Sequence, residues 1–64
     1  MTIANAIKNY RTSQGLSQTA LGEKIGKTKR TIIRYEKGQT LPSFEVLEKI
    51  FNIDIQKLIF EGVQ

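Results

Sequence analysis

The side chains with the most binding chemistry form a cationic cluster in the middle of the chain. Residues 24–37 carry a formal charge of +5, whereas residues 1–23 carry +1 and residues 38–64 carry −2. The cluster consists of Lys24, Lys27, Lys29, Arg30, Arg34 and Lys37, with Glu36 as the one acid among them. Lysine and arginine donate charge-assisted hydrogen bonds to phosphates and carboxylates, and both reach the acceptors on guanine edges. The cluster therefore indicates an anionic partner, although a solvated surface can have the same composition.

The residue types that the chain lacks exclude several kinds of catalysis. It has no histidine and no cysteine, which are the usual ligands of transition metals and the usual groups of nucleophilic catalysis. Asp54 is the one aspartate, so a catalytic carboxylate pair would have to come from the five glutamates of a chain of net charge +4. We therefore predict a protein that is not an enzyme and that uses no cofactor, no metal and no small-molecule effector.

The same inventory predicts a location. A chain without cysteine forms no disulfide, which is compatible with a reducing compartment. No apolar run approaches the roughly 18 residues of a membrane span, and residues 1–10 lack the apolar stretch of a leader peptide. We predict a soluble cytoplasmic protein with one domain, residues 1–64, and no membrane partner.

Short helices must position the cations. Apolar residues recur at intervals of three and four, and no window alternates strictly enough to predict a strand. The predicted inward-facing residues are Ile3, Ile7 and Tyr10 in helix 1, Ala20, Leu21 and Ile25 in helix 2, Ile32 and Tyr35 in helix 3, Phe44, Leu47, Ile50 and Phe51 in helix 4, and Ile55, Leu58 and Ile59 or Phe60 in helix 5. The predicted fold is all-α, a compact bundle of five short helices.

Capping residues and glycines mark the helix boundaries. The predicted N-caps are Ser17, Thr28, Ser43 and Asp54, and the predicted helix ends are Gly15, Gly26, Gly38 and Gly62. Gly22 falls inside helix 2, where it costs about 1 kcal/mol relative to alanine. That cost predicts a close contact between helices at Gly22.

Most of the cations fall on one face of helix 3. At about 100° per residue, residues 29, 30, 33, 34 and 37 share one side of the helix, and residues 28, 31, 32 and 35 lie opposite. The face has almost no acids, and Ile33 lies at its centre. Cations suit phosphates and guanine edges, and an apolar side chain suits thymine methyls. Two interpretations remain open, a solvated helix face and a surface for the DNA major groove.

Helices 2 and 3, with the turn at Gly26, have the spacing of a helix-turn-helix over about residues 17–37. The residues Gly15-Leu16-Ser17-Gln18, Leu21-Gly22, Gly26, Thr28, Ile32 and Glu36-Lys37-Gly38 form a pattern that Leu47, Ile50 and Leu58 continue. This pattern resembles the Cro and repressor family of phage and bacterial regulators, also called the XRE or Cro/C1-type family. The resemblance covers nearly the whole chain and implies a lambda repressor-like DNA-binding domain.

The resemblance also implies a function and a set of contacts. It implies a transcriptional regulator, most often a repressor, that binds palindromic double-stranded DNA as a homodimer with helix 3 in the major groove. The implied base contacts are Lys29, Arg30, Ile33 and Arg34, and the implied phosphate contacts are Ser17, Gln18, Lys27, Thr28, Lys37, Gln39 and Thr40. Simple capping accounts for Ser17 equally well. Arg11 and Glu36 match a structural salt bridge of the phage repressors.

The sequence departs from the family pattern in three places. Gly22 replaces a small alanine, which preserves the size requirement and gives up helix propensity. Lys27 replaces a hydrophobic residue of the turn, so we expect it to face solvent or phosphate. The chain is about three residues shorter between Leu47 and Leu58, which shifts the fifth helix and with it the family's dimer geometry.

The C-terminal apolar residues and the basic face of helix 3 each allow more than one interpretation. Ile53, Ile59, Phe60 and Val63 are candidate dimer contacts, but they could equally complete the core, and the chain could be a monomeric piece of a longer repressor. The basic face of helix 3 could also bind an acidic protein, which would make the chain a protein-interaction module. A basic membrane-surface helix is disfavoured, because the cationic face has no broad apolar face beside it.

Overall fold

The computed structural model describes residues 2–53, which form four α-helices with short connections. Their bounds are Ile3–Ser13 for α1, Gln18–Ile25 for α2, Lys29–Glu36 for α3 and Phe44–Phe51 for α4. These residues contain no strand, which confirms the predicted all-α class. The count is four helices instead of five, and the predicted fifth helix, from Asp54 to Gly62, lies outside the described residues.

Local sequence signals set the helix boundaries. Each helix begins at a hydroxyl that accepts a hydrogen bond from an N–H of its own first turn, at 3.0 to 3.3 Å. The capping residues are Thr2, Ser17, Thr28 and Ser43. The last three confirm the predicted caps, each of which stabilises its helix by about 1 kcal/mol. Gly15, Gly26 and Gly38 follow the first three helices, as predicted, and each of them has a positive φ.

The core lies where the four helices meet. It consists of the buried side chains Ile7, Leu21, Ile25, Ile32, Tyr35, Val46 and Ile50, with Tyr10, Leu16, Leu47 and Phe51 packed against them. Both α3 and α4 pack against α1 and α2. Tyr10 and Phe51 meet edge to face with ring centroids 5.1 Å apart, which joins α1 to α4. The inner stripe of α3 is thus held in the core, and its opposite face stays at the surface.

Two of the inward-facing predictions are wrong. Phe44 is 74% exposed, and Val46 takes the buried position in its place. Val46 and Ile50 are about one turn apart and face the core together, so a residue two positions before Val46 points away from it. Ile3 is 40% exposed, because it lies at the very start of α1, a full turn before the buried Ile7.

Gly22 lies where α2 approaches the turn that leads into α3. A Cβ at this position would lie 2.6 Å from the carbonyl oxygen of Lys27 and 3.2 Å from the carbonyl carbon of Thr28. Both neighbours are backbone atoms, so neither can swing aside as the end of a side chain does. The predicted close contact is confirmed, but the site is smaller than expected, since even alanine does not fit without movement of the turn.

We therefore predict that Gly22→Ala destabilises the protein. Overpacking against backbone costs about 1–3 kcal/mol, whereas the gain in helix propensity is about 1 kcal/mol. The net loss in the free energy of unfolding, measured by urea denaturation, should be about 1 kcal/mol and at most about 2 kcal/mol. Glu23→Ala, at an exposed position of the same helix, is the matched control and should change stability by less than about 0.5 kcal/mol. A Gly22→Ala protein more stable than the parent would contradict the close contact.

Candidate nucleic-acid interface

α2 and α3 are the two helices of a helix-turn-helix, and residues 26–28 join them. Gly26 has φ +74°, a left-handed conformation that glycine adopts without steric cost, and its N–H donates to the carbonyl oxygen of Gly22. The N–H of Lys27 donates to the same oxygen at 2.8 Å. The hydrogen bonds of the turn and the absence of a side chain at Gly22 therefore fix the orientation of α3 relative to α2.

The outer face of α3, which we call the cationic face, consists of Lys29, Arg30, Ile33, Arg34 and Lys37. All four cations are exposed, Ile33 is half-buried, and the opposite stripe of α3 is buried. Within residues 2–53 none of the four cations pairs with a carboxylate. Surface charge of one sign that is not neutralised by neighbours attracts a partner of the opposite sign. The structure thus brings the four base contacts implied by the resemblance onto one surface.

A partly buried ion pair joins α1 to the end of α3. Arg11 Nε donates to Glu36 Oε2 at 2.6 Å and Nη2 donates to Oε1 at 3.1 Å. Arg11 Nη1 also donates to the carbonyl oxygen of Leu16 at 2.8 Å. The two side chains are only 12% and 5% exposed. The hydrogen bonds to Glu36 raise the pKa of Arg11 above its ordinary value, although burial opposes the rise, so the guanidinium stays charged.

The same carboxylate holds the start of α2. Gln18 Nε2 donates to Glu36 Oε1 at 3.3 Å, a bond that sequence reasoning missed because the two residues lie 18 positions apart. Ser17 is exposed, and its Oγ accepts from the N–H of Ala20. The N–H groups of Gln18 and Thr19 have no acceptor among the described residues, as is usual in the first turn of a helix. Glu36 therefore links α1, α2 and α3.

An open cleft of about 530 Å³ lies between these three helices. It is lined by Lys8, Arg11, Ser17, Gln18, Ile33, Glu36 and Lys37. Four of these residues are contacts that the resemblance implies, and they come from α3 and from the start of α2. Lys8 is the one cation of the cleft that sequence reasoning missed. The sequence did contain a signal for Lys8. It lies three residues before Arg11 on α1, and residues three apart share a helix face.

The remaining implied phosphate contacts lie on either side of α3. Lys27, Thr28, Gln39 and Thr40 are exposed. Thr28 Oγ1 is occupied in capping, since it accepts from the N–H of Thr31. The N–H of Gln39 donates to the carbonyl oxygen of Arg34 at 3.0 Å, which folds the loop after α3 back onto the helix. The exposed position of Lys27 agrees with the expectation that it faces solvent or phosphate.

The candidate dimer contacts are described only in part. Ile53 is 44% exposed, and Ile59, Phe60 and Val63 lie outside the described residues. Leu41 and Phe44 are 73% and 74% exposed, so they are the more prominent apolar groups of the described surface. Residues 2–53 hold no cluster of three acidic, histidine or cysteine side chains suited to a metal ion. None of their helices has the length and apolar character needed to cross a membrane.

Comparison with known proteins supports the assignment of a helix-turn-helix. A family model described as helix-turn-helix matches residues 7–53. An uncharacterized HTH-type transcriptional regulator of Methanocaldococcus jannaschii is 35% identical over 57 residues, which covers 84% of this chain and 86% of that protein. A second uncharacterized HTH-type transcriptional regulator, from Bacillus subtilis, is 41% identical over 46 residues and covers 72% of this chain and 70% of its own.

A third similar protein, an uncharacterized HTH-type transcriptional regulator of Methanothermobacter thermautotrophicus, is 41% identical over 44 residues, or 69% of this chain and 64% of its own. No solved structure gives a significant match. The matched region contains all of α2, the turn, α3 and α4. The chain therefore belongs to the Cro/C1-type, or XRE, family of helix-turn-helix DNA-binding transcriptional regulators.

Proposed function

We propose that this protein is a sequence-specific repressor that binds double-stranded DNA as a homodimer on a palindromic operator. One observation carries the proposal. The second helix of a helix-turn-helix presents four exposed cations, and none of them has a carboxylate partner within residues 2–53. A solvated helix face normally mixes charges of both signs, whereas a DNA-binding face needs its cations free for phosphates and base edges.

In this proposal α3 lies in the major groove and reads bases through its exposed side chains. Arg30 and Arg34 can each fork onto the O6 and N7 atoms of a guanine, which favours the correct base by about 1–3 kcal/mol. Lys29 reaches the same acceptors with a single ammonium group. Ile33 is half-buried beside them, and its exposed part suits a thymine methyl.

Phosphate contacts would fix the position of α3 in the groove. The proposed contacts are Ser17 and Gln18 at the start of α2, Lys27 and Thr28 in the turn, and Lys37, Gln39 and Thr40 at the end of α3 and in the loop after it. The free N–H groups in the first turn of α2 support this assignment, because the start of a helix favours anions. The pair of Arg11 and Glu36 has a structural role, since its atoms are engaged with each other.

The docking geometry of the helix-turn-helix supports the proposal of a homodimer on a palindrome. Two copies related by a two-fold axis would place their α3 helices in successive major grooves, about one DNA turn apart. Repression then follows from occlusion of promoter DNA. The proposal also implies a cytoplasmic location, because that is where the DNA target lies.

A salt titration separates this proposal from binding to an acidic protein. We expect the parent protein to bind a mixed-sequence duplex, with log affinity falling linearly against log salt by about 0.9 for each neutralised phosphate. Fluorescence anisotropy of a labelled duplex measures this slope. A folded protein that shows no saturable duplex binding at physiological salt would contradict the proposal and favour an acidic protein partner for the cationic face.

A further inference from the structure

We propose that Lys8 of α1 contacts a DNA phosphate, so that α1 forms part of the cleft that binds the DNA backbone. This inference rests on the proposed function and extends its surface to a third helix. The family resemblance implies no DNA contact by Lys8. What points to Lys8 is the cleft that it lines together with Ser17, Gln18 and Lys37.

The position of Lys8 follows from the packing of α1. Arg11 lies three residues later on the same helix face, and its guanidinium is held between Glu36 and the carbonyl oxygen of Leu16. This anchor fixes the face of α1 that turns toward α2 and α3. Lys8 is exposed and lines the same cleft as Lys37, which follows the last residue of α3. Lysines from two different helices therefore line one cleft.

The charges of the cleft favour an anion. Its lining includes three cations, Lys8, Arg11 and Lys37, and a single carboxylate, that of Glu36. Glu36 accepts three hydrogen bonds, from Arg11 and Gln18, and its ion pair is with Arg11. Neither Lys8 nor Lys37 has a carboxylate partner within residues 2–53. The cleft thus has a net charge of +2 and two unpaired ammonium groups.

The start of α2, at Ser17 and Gln18, adds hydrogen-bond donors to the cleft. The N–H groups of Gln18 and Thr19 have no acceptor among the described residues, and no acidic residue lies in the first turn of α2. Ile33, on the wall formed by α3, belongs to the face that we propose reads bases. A backbone phosphate is the anion that would lie beside bases read by α3. A phosphodiester in the cleft would have both Lys8 and Lys37 among the residues around it.

A charge-matched pair of variants tests this inference. Lys8→Ala and Lys49→Ala each remove one exposed lysine, but Lys49 lies on α4 and does not line the cleft. We expect Lys8→Ala to reduce the magnitude of the salt slope on a mixed-sequence duplex by about 0.9. Its deficit in affinity should then shrink about 3.5-fold between about 50 and 200 mM salt. Lys49→Ala should keep the parent slope, and Lys8→Arg should restore it.

A second measurement does not depend on a substitution. Acetylation of the parent protein with and without the duplex, followed by mass spectrometry of each lysine, reports which amines the DNA covers. We expect the duplex to protect Lys8 and to leave Lys49 reactive. The inference is overturned if the parent protein binds DNA but Lys8 and Lys49 behave alike in both assays. If the parent protein does not bind DNA at all, the proposed function fails and this inference fails with it.

Discussion

Arg11→Met will destabilise the folded protein by about 2 kcal/mol, because it leaves the partly buried carboxylate of Glu36 without its cation. The Glu36 side chain is only 5% exposed, and Arg11 supplies two of the three hydrogen bonds that it accepts. A domain of this size has a total stability of only about 3–10 kcal/mol. Arg11→Met should therefore shift the urea midpoint strongly and could leave much of the chain unfolded.

The double variant Arg11→Met with Glu36→Leu is the control. Replacement of a whole buried ion pair by apolar residues is often neutral, whereas removal of one partner is not. We expect the double variant to recover most of the loss, with a coupling energy of about 2 kcal/mol in the double-mutant cycle. Losses of stability that simply add in the double variant would show that the interaction between Arg11 and Glu36 contributes little to stability.

The stability supplied by the Arg11 side of this pair should not vary over ordinary pH. A cation whose pKa is raised in the folded state contributes its full stabilisation below its unfolded pKa and loses it only as the pH rises through the folded one. The pKa of Arg11 is raised from a value that is already strongly alkaline. Any pH dependence of stability near neutrality must therefore arise elsewhere in the chain.

Arg30→Ala and Arg34→Ala should each lower the preference for a selected operator over a mixed-sequence duplex by about 1–3 kcal/mol, or roughly 5- to 150-fold. An arginine that forks onto a guanine strengthens binding only where that guanine is present. Its removal should therefore weaken binding to the operator more than binding to mixed-sequence DNA. Competition between the two duplexes, followed by anisotropy at fixed salt, measures the change in preference.

Lys37→Ala is the matched control for these two arginine variants. Lys37 lies at the end of α3 and lines the cleft, so we propose that it contacts phosphate. Its loss should weaken binding to both duplexes alike and reduce the salt slope by about 1. Equal losses on the operator and on mixed DNA for all three variants would contradict the division between base contacts and phosphate contacts.

Local signals made most of the fold predictable. Hydroxyl caps and glycines act within one or two turns of chain, so Ser17, Thr28 and Gly26 could be assigned from the sequence. Phe44 was assigned wrongly because two apolar stripes overlap on α4, and an apolar residue near a helix end fits either of them. Only the packing of α4 against α1 and α2 shows that Val46 belongs inside.

The site was less predictable, because it depends on contacts between distant residues. Arg11 and Glu36 lie 25 positions apart, and the family resemblance, not any pattern of spacing, implied their pairing. The bond from Gln18 to Glu36 and the place of Lys8 in the cleft had no counterpart in that resemblance. The bond follows from how α2 packs against α3, and the place of Lys8 follows from how α1 packs against α3. Periodicity along a single helix reports neither contact.

Selection of duplexes from a random pool at physiological salt is the sharpest test of base reading by α3, since it measures binding, specificity and symmetry together. We expect enrichment of a palindrome whose half-site centres lie about one DNA turn apart. Guanines in each half-site should lose their enrichment when the selection is repeated with Arg30→Ala or Arg34→Ala. A folded protein that enriches no sequence, or one that enriches the same sequence without both arginines, would contradict base reading by α3.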